Sequence, residues 1–121
     1  MRFSKSLTLP RDNTEVPEHI LVLCACGSEA EAEEIAGQLV SQRLAACVNI
    51  SAPIRSVYRW QGKVESASEW LLSIKTARAR FEELSAAIQS MHSYELPEII
   101  ALPITAGFAP YLKWIAESVH E

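Results

Sequence analysis

The sequence predicts one α+β domain in the order β-α-β-β-α-β-α, and three observations carry that expectation. A chain of 121 residues with 49% hydrophobic content supplies one core and is too short for two. Apolar residues recur at helical spacing in three stretches and as short continuous or alternating runs between them. Gly27, Pro53, Gly62, Pro97 and Pro110 punctuate the boundaries.

Residues 1–18 mix polar residues with Pro10 and Pro17 and lack apolar periodicity, so they read as a flexible extension before a single domain over 19–121. Ile20 to Cys26 is an apolar run ended by Gly27, as expected of a strand buried on both faces. Ser28 with Glu31 forms a capping box, and Ala32, Ile35, Ala36, Leu39 and Val40 continue as a helical stripe. The acidic cluster of Glu29, Glu31, Glu33 and Glu34 reads as a solvated face at the positive end of that helix, and Arg43 suits its far end.

Ala45 to Ile50 reads as a strand, Pro53 interrupts it, and Ile54 to Trp60 resumes before Gln61-Gly62 turns the chain. Lys63 to Lys75 runs back with Trp70, Leu72 and Ile74 on one face. A second helix carries Phe81, Leu84, Ile88 and Met91 and ends before Pro97, which holds Leu96 extended. Glu98 to Ile104 is the last strand, and Pro110 opens a final helix with Tyr111, Leu112, Ile115 and Val119.

Two βαβ crossovers joined by a hairpin give the split-βαβ, ferredoxin-like arrangement, an antiparallel sheet with two helices on one face. Each hairpin arm runs roughly 13 to 16 residues, on the order of 45 Å at about 3.3 Å per residue. That is longer than a core of this size covers. Its Tyr58, Trp60 and Val64 therefore predict pairing with another chain.

Net charge is −4, with 15 acidic and 11 basic side chains, so neither nucleic acid nor an anionic membrane is an expected partner. The apolar run Ile20 to Ala25 is far short of the roughly 20 residues that span a bilayer, and no signal-peptide core precedes it, so the expected location is cytoplasmic. Three cysteines, Cys24, Cys26 and Cys47, match neither a disulfide framework nor structural zinc spacing, and reduced thiols are expected. No phosphate-binding Gly-rich loop, nucleophile elbow, HExxH or dinucleotide fingerprint is present, so no enzyme is expected.

Four stretches resemble the CutA divalent-cation (copper) tolerance family: Ala45-Ala46-Cys47-Val48-Asn49-Ile50, Tyr58-x-Trp60-x-Gly62-Lys63-Val64-Glu65, Glu69-Trp70-x-x-x-Ile74-Lys75-Thr76, and His92-x-Tyr94-Glu95-Leu96-Pro97-Glu98-Ile99-Ile100. They run from about Ile20 to the C-terminus, in order. The resemblance implies a ferredoxin-like homotrimer built through its hairpins, with Tyr58, Trp60, Val64 and Trp70 at the interface. It also implies a link to copper and other divalent metals and no established reaction.

By the same resemblance, a cysteine closing the first strand and two histidines before the Tyr-x-x-Pro-Glu stretch form the metal site. Here Cys24 and His92 match, and Met91 stands in the first histidine position. Cys and Met are soft ligands that suit Cu(I) over zinc. Cys24 and Cys26 share one side of a strand, so they serve either one cation or the core. Cys47 reads as core. His92 serves either as a ligand or as a helix C-cap. Tyr94, Glu95 and Glu98 either support the site from behind its ligands or, for the glutamates, pair with Lys75 or Arg78.

The expected function is weak binding of Cu(I), Cu(II) or another divalent ion in metal homeostasis, with no organic cofactor. A PII-like trimer sensing an anionic small molecule between subunits, through Arg55, Arg59, Lys63 and Lys75, is the alternative, supported by fold analogy alone. A trimeric scaffold without a ligand is the third. An enzyme with Cys24 as nucleophile activated by His92 is the remaining class.

Overall fold

The structure, a computed structural model, describes residues 18–120. Its elements are β1 (His19–Cys26), α1 (Glu29–Ser41), β2 (Cys47–Ile50), β3 (Ile54–Trp60), β4 (Lys63–Ala77), a 3-10 turn (Arg78–Arg80), α2 (Phe81–Met91), β5 (Ile100–Pro103) and α3 (Ala109–Ser118). The extension assigned to residues 1–18 lies outside the described residues save for Glu18, whose carbonyl accepts from the Arg78 N–H at 2.7 Å.

All strand pairs are antiparallel, in the order β2-β4-β1-β5, with β3 paired to the first half of β4. This is the expected ferredoxin-like sheet. Ile20, Val22 and Cys24 from β1 and Leu72 and Ile74 from β4 meet Ala32, Ile35 and Leu39 of α1 and Leu84 and Ile88 of α2 in one buried cluster. Each such Leu or Ile contributes about 1.5–3 kcal/mol by leaving water. Leu112 and Ile115 of α3, with Val119 just past its end, close a second, smaller cluster on Ala46, Ala77 and Ile104.

Two local features differ from the sequence reading, and the break expected at Pro53 is present. The strand expected to be buried on both faces alternates instead: Leu21 and Leu23 are only half-buried, because α1 and α2 cover one face of the antiparallel sheet. The last strand is shorter than residues 98–104. The arm before the turn is two strands, and Ser51 bridges the break between them. Its N–H donates to the Leu71 carbonyl and its hydroxyl accepts the Leu71 N–H, each at 2.9 Å. β4 thus keeps its hydrogen bonds past Pro53, which has no N–H to offer.

Ser28 caps α1 by accepting the Glu31 N–H at 3.1 Å. At the far end Arg43 adopts φ 60, with Arg43 N donating to Val40 O and Leu44 N to Leu39 O. That is a Schellman cap built without glycine. Gln61 and Gly62 take φ 51 and 80, the left-handed pair that a two-residue hairpin turn requires. Beyond the core the hairpin is exposed, with Val57 at 71% and Val64 at 69%.

Candidate functional site

β1 delivers Cys24 and Cys26 to the helix-covered face, and the end of α2 delivers His92 beside them. Both thiols are fully buried, and His92 is 9% exposed. One ligand atom from each of the three lies within 4.8 Å of the other two. Cys24 and His92, named from sequence, are therefore together, and Cys26 joins them. Met91 is half-buried against the same apolar cluster.

His92 has extended backbone at the C-cap of α2 (φ −78, ψ 139). Its Nδ1 accepts the Tyr94 N–H at 3.0 Å, and its Nε2 lies 2.8 Å from the Ala25 carbonyl. An N–H can only donate, so Nδ1 is the acceptor and Nε2 carries the hydrogen that Ala25 receives. Among the described residues no carboxylate orients this ring; backbone groups do. The Cys26 thiol, hydrogen-bonded to Cys24, pushes the Cys24 thiol far above its ordinary value, and burial adds to this, as do the negative charges of Glu98 and Glu31. A buried thiol beside a second thiol lacks the exposed, electropositive surroundings that activate a nucleophilic cysteine.

Tyr94 stacks its ring at a tilt on His92, centroids 4.7 Å apart, and donates its hydroxyl to Glu69 Oε2 at 2.8 Å. Burial, then the Glu69 carboxylate, pushes the Tyr94 hydroxyl above the ordinary phenol value. Gly27 makes room for it, since a Cβ there would stand 2.8 Å from the hydroxyl oxygen. Glu31 holds the same loop: the Ser93 N–H and hydroxyl donate to its two carboxylate oxygens at 2.7 and 3.2 Å. The capping box is thus half-formed, because the Glu31 carboxylate serves a segment 62 residues away.

The sequence reading gave Glu31 only a capping role and Glu69 only a place in the Glu69-Trp70 stretch, and expected neither to hold the loop at Ser93 and Tyr94. Glu69 leaves a trace there, as an acid directly before the apolar run Trp70-Leu71-Leu72. Glu95 and Glu98 line a cavity of about 730 Å³ between the 93–98 loop and β3, with Glu69, Tyr58, Arg59 and Trp60. Arg55, Lys63 and Lys75 lie outside its lining, and Lys75 instead donates to Asn49. Trp70 is half-buried against the core of this chain, whereas Tyr58, Trp60 and Val64 are exposed. Cys47 is half-buried, not core, and approaches the Tyr111 hydroxyl; burial, then Cys47, raises that group above its ordinary value.

A family model described as CutA1 divalent ion tolerance protein matches residues 20–118. The chain is similar to the divalent-cation tolerance protein CutA of Thermus thermophilus, 46% identical over 81% of this chain and 95% of that one. It is 42% identical to the chloroplastic protein CutA of Arabidopsis thaliana over 98% of its own length, but spans only 64% of that relative. The solved structure of the periplasmic divalent cation tolerance protein CutA from Archaeoglobus fulgidus superposes with a TM-score of 0.82 at 42% identity, over 84% of this chain and 99% of that one. Among the described residues no helix is long and apolar enough to cross a membrane. With the ferredoxin-like sheet, the matched span and these relatives in agreement, the chain belongs to the CutA1 divalent ion tolerance family.

Proposed function

We propose that this chain acts in divalent-cation tolerance as a homotrimer that binds a thiophilic ion weakly, copper foremost, on Cys24 and His92, with Cys26 and Met91 as adjacent soft groups. The observation that carries this reading is the approach of three ligand atoms to within 4.8 Å on two separate elements. Two sulfurs and an imidazole suit Cu(I) better than harder ions. Binding is weak because the ion displaces a buried thiol proton and the hydrogen bond from His92 to Ala25.

Exposed apolar residues on the hairpin support the trimer, as do Ile100 and Leu102 on the edge strand β5. Three unpaired cysteines suit a reducing compartment, the cytoplasm. No catalytic step belongs to this reading. The anion-sensing alternative concerns clefts between subunits; within one chain only Arg59 of its four basic residues lines the cavity, beside Glu69, Glu95 and Glu98.

Anaerobic titration of reduced protein with Cu(I) against a competing chelator tests the site. Saturable binding that is lost in Cys24→Ser and in His92→Ala supports it, and binding unchanged in both variants overturns it. Sedimentation tests the assembly: a monodisperse monomer at micromolar concentration sinks the trimer.

A further inference from the structure

The cavity beside the metal candidate poses a separate question of charge. Glu69 is 8% exposed, yet its carboxylate receives only the Tyr94 hydroxyl, and no Lys or Arg pairs with it among the described residues. Its remaining oxygen is not sealed from solvent and offers a fixed acceptor on the cavity wall. Glu95 and Glu98 line the same cavity, and Arg59 lines it without an ion pair to any of the three.

The distribution of these acids argues against a bare metal ion. Among the described residues Cys24, Cys26 and His92 form the sole cluster with metal-ligand spacing, so the three carboxylates do not converge as a coordination sphere. They are spread around about 730 Å³, room for a small molecule. Trp60, Tyr58 and Tyr94 complete the walls, and aromatic faces attract ammonium groups and their attached methyl or methylene carbons.

We propose that this cavity binds a small organic cation of the alkylammonium class, with Glu69 as its counter-charge and Trp60 and Tyr58 against its hydrocarbon portion. This inference does not rest on the metal reading. Tyr58 and Trp60 lie on the hairpin surface proposed above for the trimer, so a partner subunit would border this cavity, and the full chain in its native assembly is the form to test.

Isothermal titration with choline and with putrescine as probes, in chelator-treated buffer, decides the matter. Saturable binding of either probe, at least about tenfold weaker in Glu69→Gln, is the expected result, since one charged contact is worth about a factor of ten. Gln keeps an acceptor for the Tyr94 hydroxyl, and a melting curve checks that the variant is folded. Glu98→Gln, at the cavity's edge, serves as the second variant and is expected to weaken binding too. No saturable binding of either probe to wild type, binding unchanged in both variants, or preferential uptake of citrate overturns the proposal.

Discussion

The imidazole of His92 donates from Nε2 to the carbonyl of Ala25 across 2.8 Å, so this ring fastens the end of α2 to β1 as well as standing beside Cys24 and Cys26. His92→Ala is therefore expected to lower stability by about 1–3 kcal/mol, the cost of leaving a buried polar group unpaired. Urea unfolding with an unchanged slope would register it. A variant as stable as wild type would mean that the loop is held without the ring.

Gly27 and Tyr94 are expected to be coupled. A Cβ at Gly27 meets the Tyr94 hydroxyl at 2.8 Å and its ring at 3.3 Å, so Gly27→Ala displaces Tyr94 from Glu69 and lowers the melting temperature. In a Tyr94→Phe background the penalty of Gly27→Ala shrinks, because the nearest clashing atom is gone. A double-mutant cycle measures this, and strict additivity would contradict it.

Thiol reactivity separates the cysteines. Cys24 and Cys26 are fully buried and Cys47 is half-buried, so iodoacetamide at neutral pH modifies Cys47 first. The other two react only at the rate of opening. Mass spectrometry of digested protein reads the order, and early labelling of Cys24 would show that the site is open.

Alkaline conditions are expected to destabilise the fold. Cys24 and Tyr94 are acids that are neutral when protonated, and their folded values lie above ordinary values of 9.0 and 10.0. Their contribution is whole below those ordinary values and is lost as pH rises above them. Stability should fall progressively above pH 9, and Tyr94→Phe should remove the part that sets in above pH 10. Chemical unfolding across that range checks both.

Thr76, fully buried near the end of β4, donates its hydroxyl to the Leu44 carbonyl at 2.7 Å. Thr76→Val keeps the shape and removes the donor, with an expected loss of about 1–2 kcal/mol. An unchanged denaturation midpoint would show that the carbonyl has found another partner.

The alternation of Leu72, Ile74 and Thr76, the helical stripe from Ala32 to Leu39 and the turn at Gln61-Gly62 were legible in the chain because each is a local pattern with one geometric solution. Cys24 and His92 were legible as a pair by resemblance, 68 positions apart in sequence. The roles of Glu31 and Glu69 were not. Both are acids whose partners, Ser93 and Tyr94, come from a loop far along the chain.

By itself, then, the sequence determined the order of strands and helices and the long hairpin, since hydrophobic periodicity and turn chemistry act over a few residues. Tertiary structure alone decided that the imidazole of His92 binds a backbone carbonyl, that the side shared by Cys24 and Cys26 is buried beside that ring, and that Glu69 lines a cavity. The physical reason is that hydrogen-bond partners and burial depend on which distant segments meet, and in this sheet β1 meets β4 and the end of α2 only after the chain has closed.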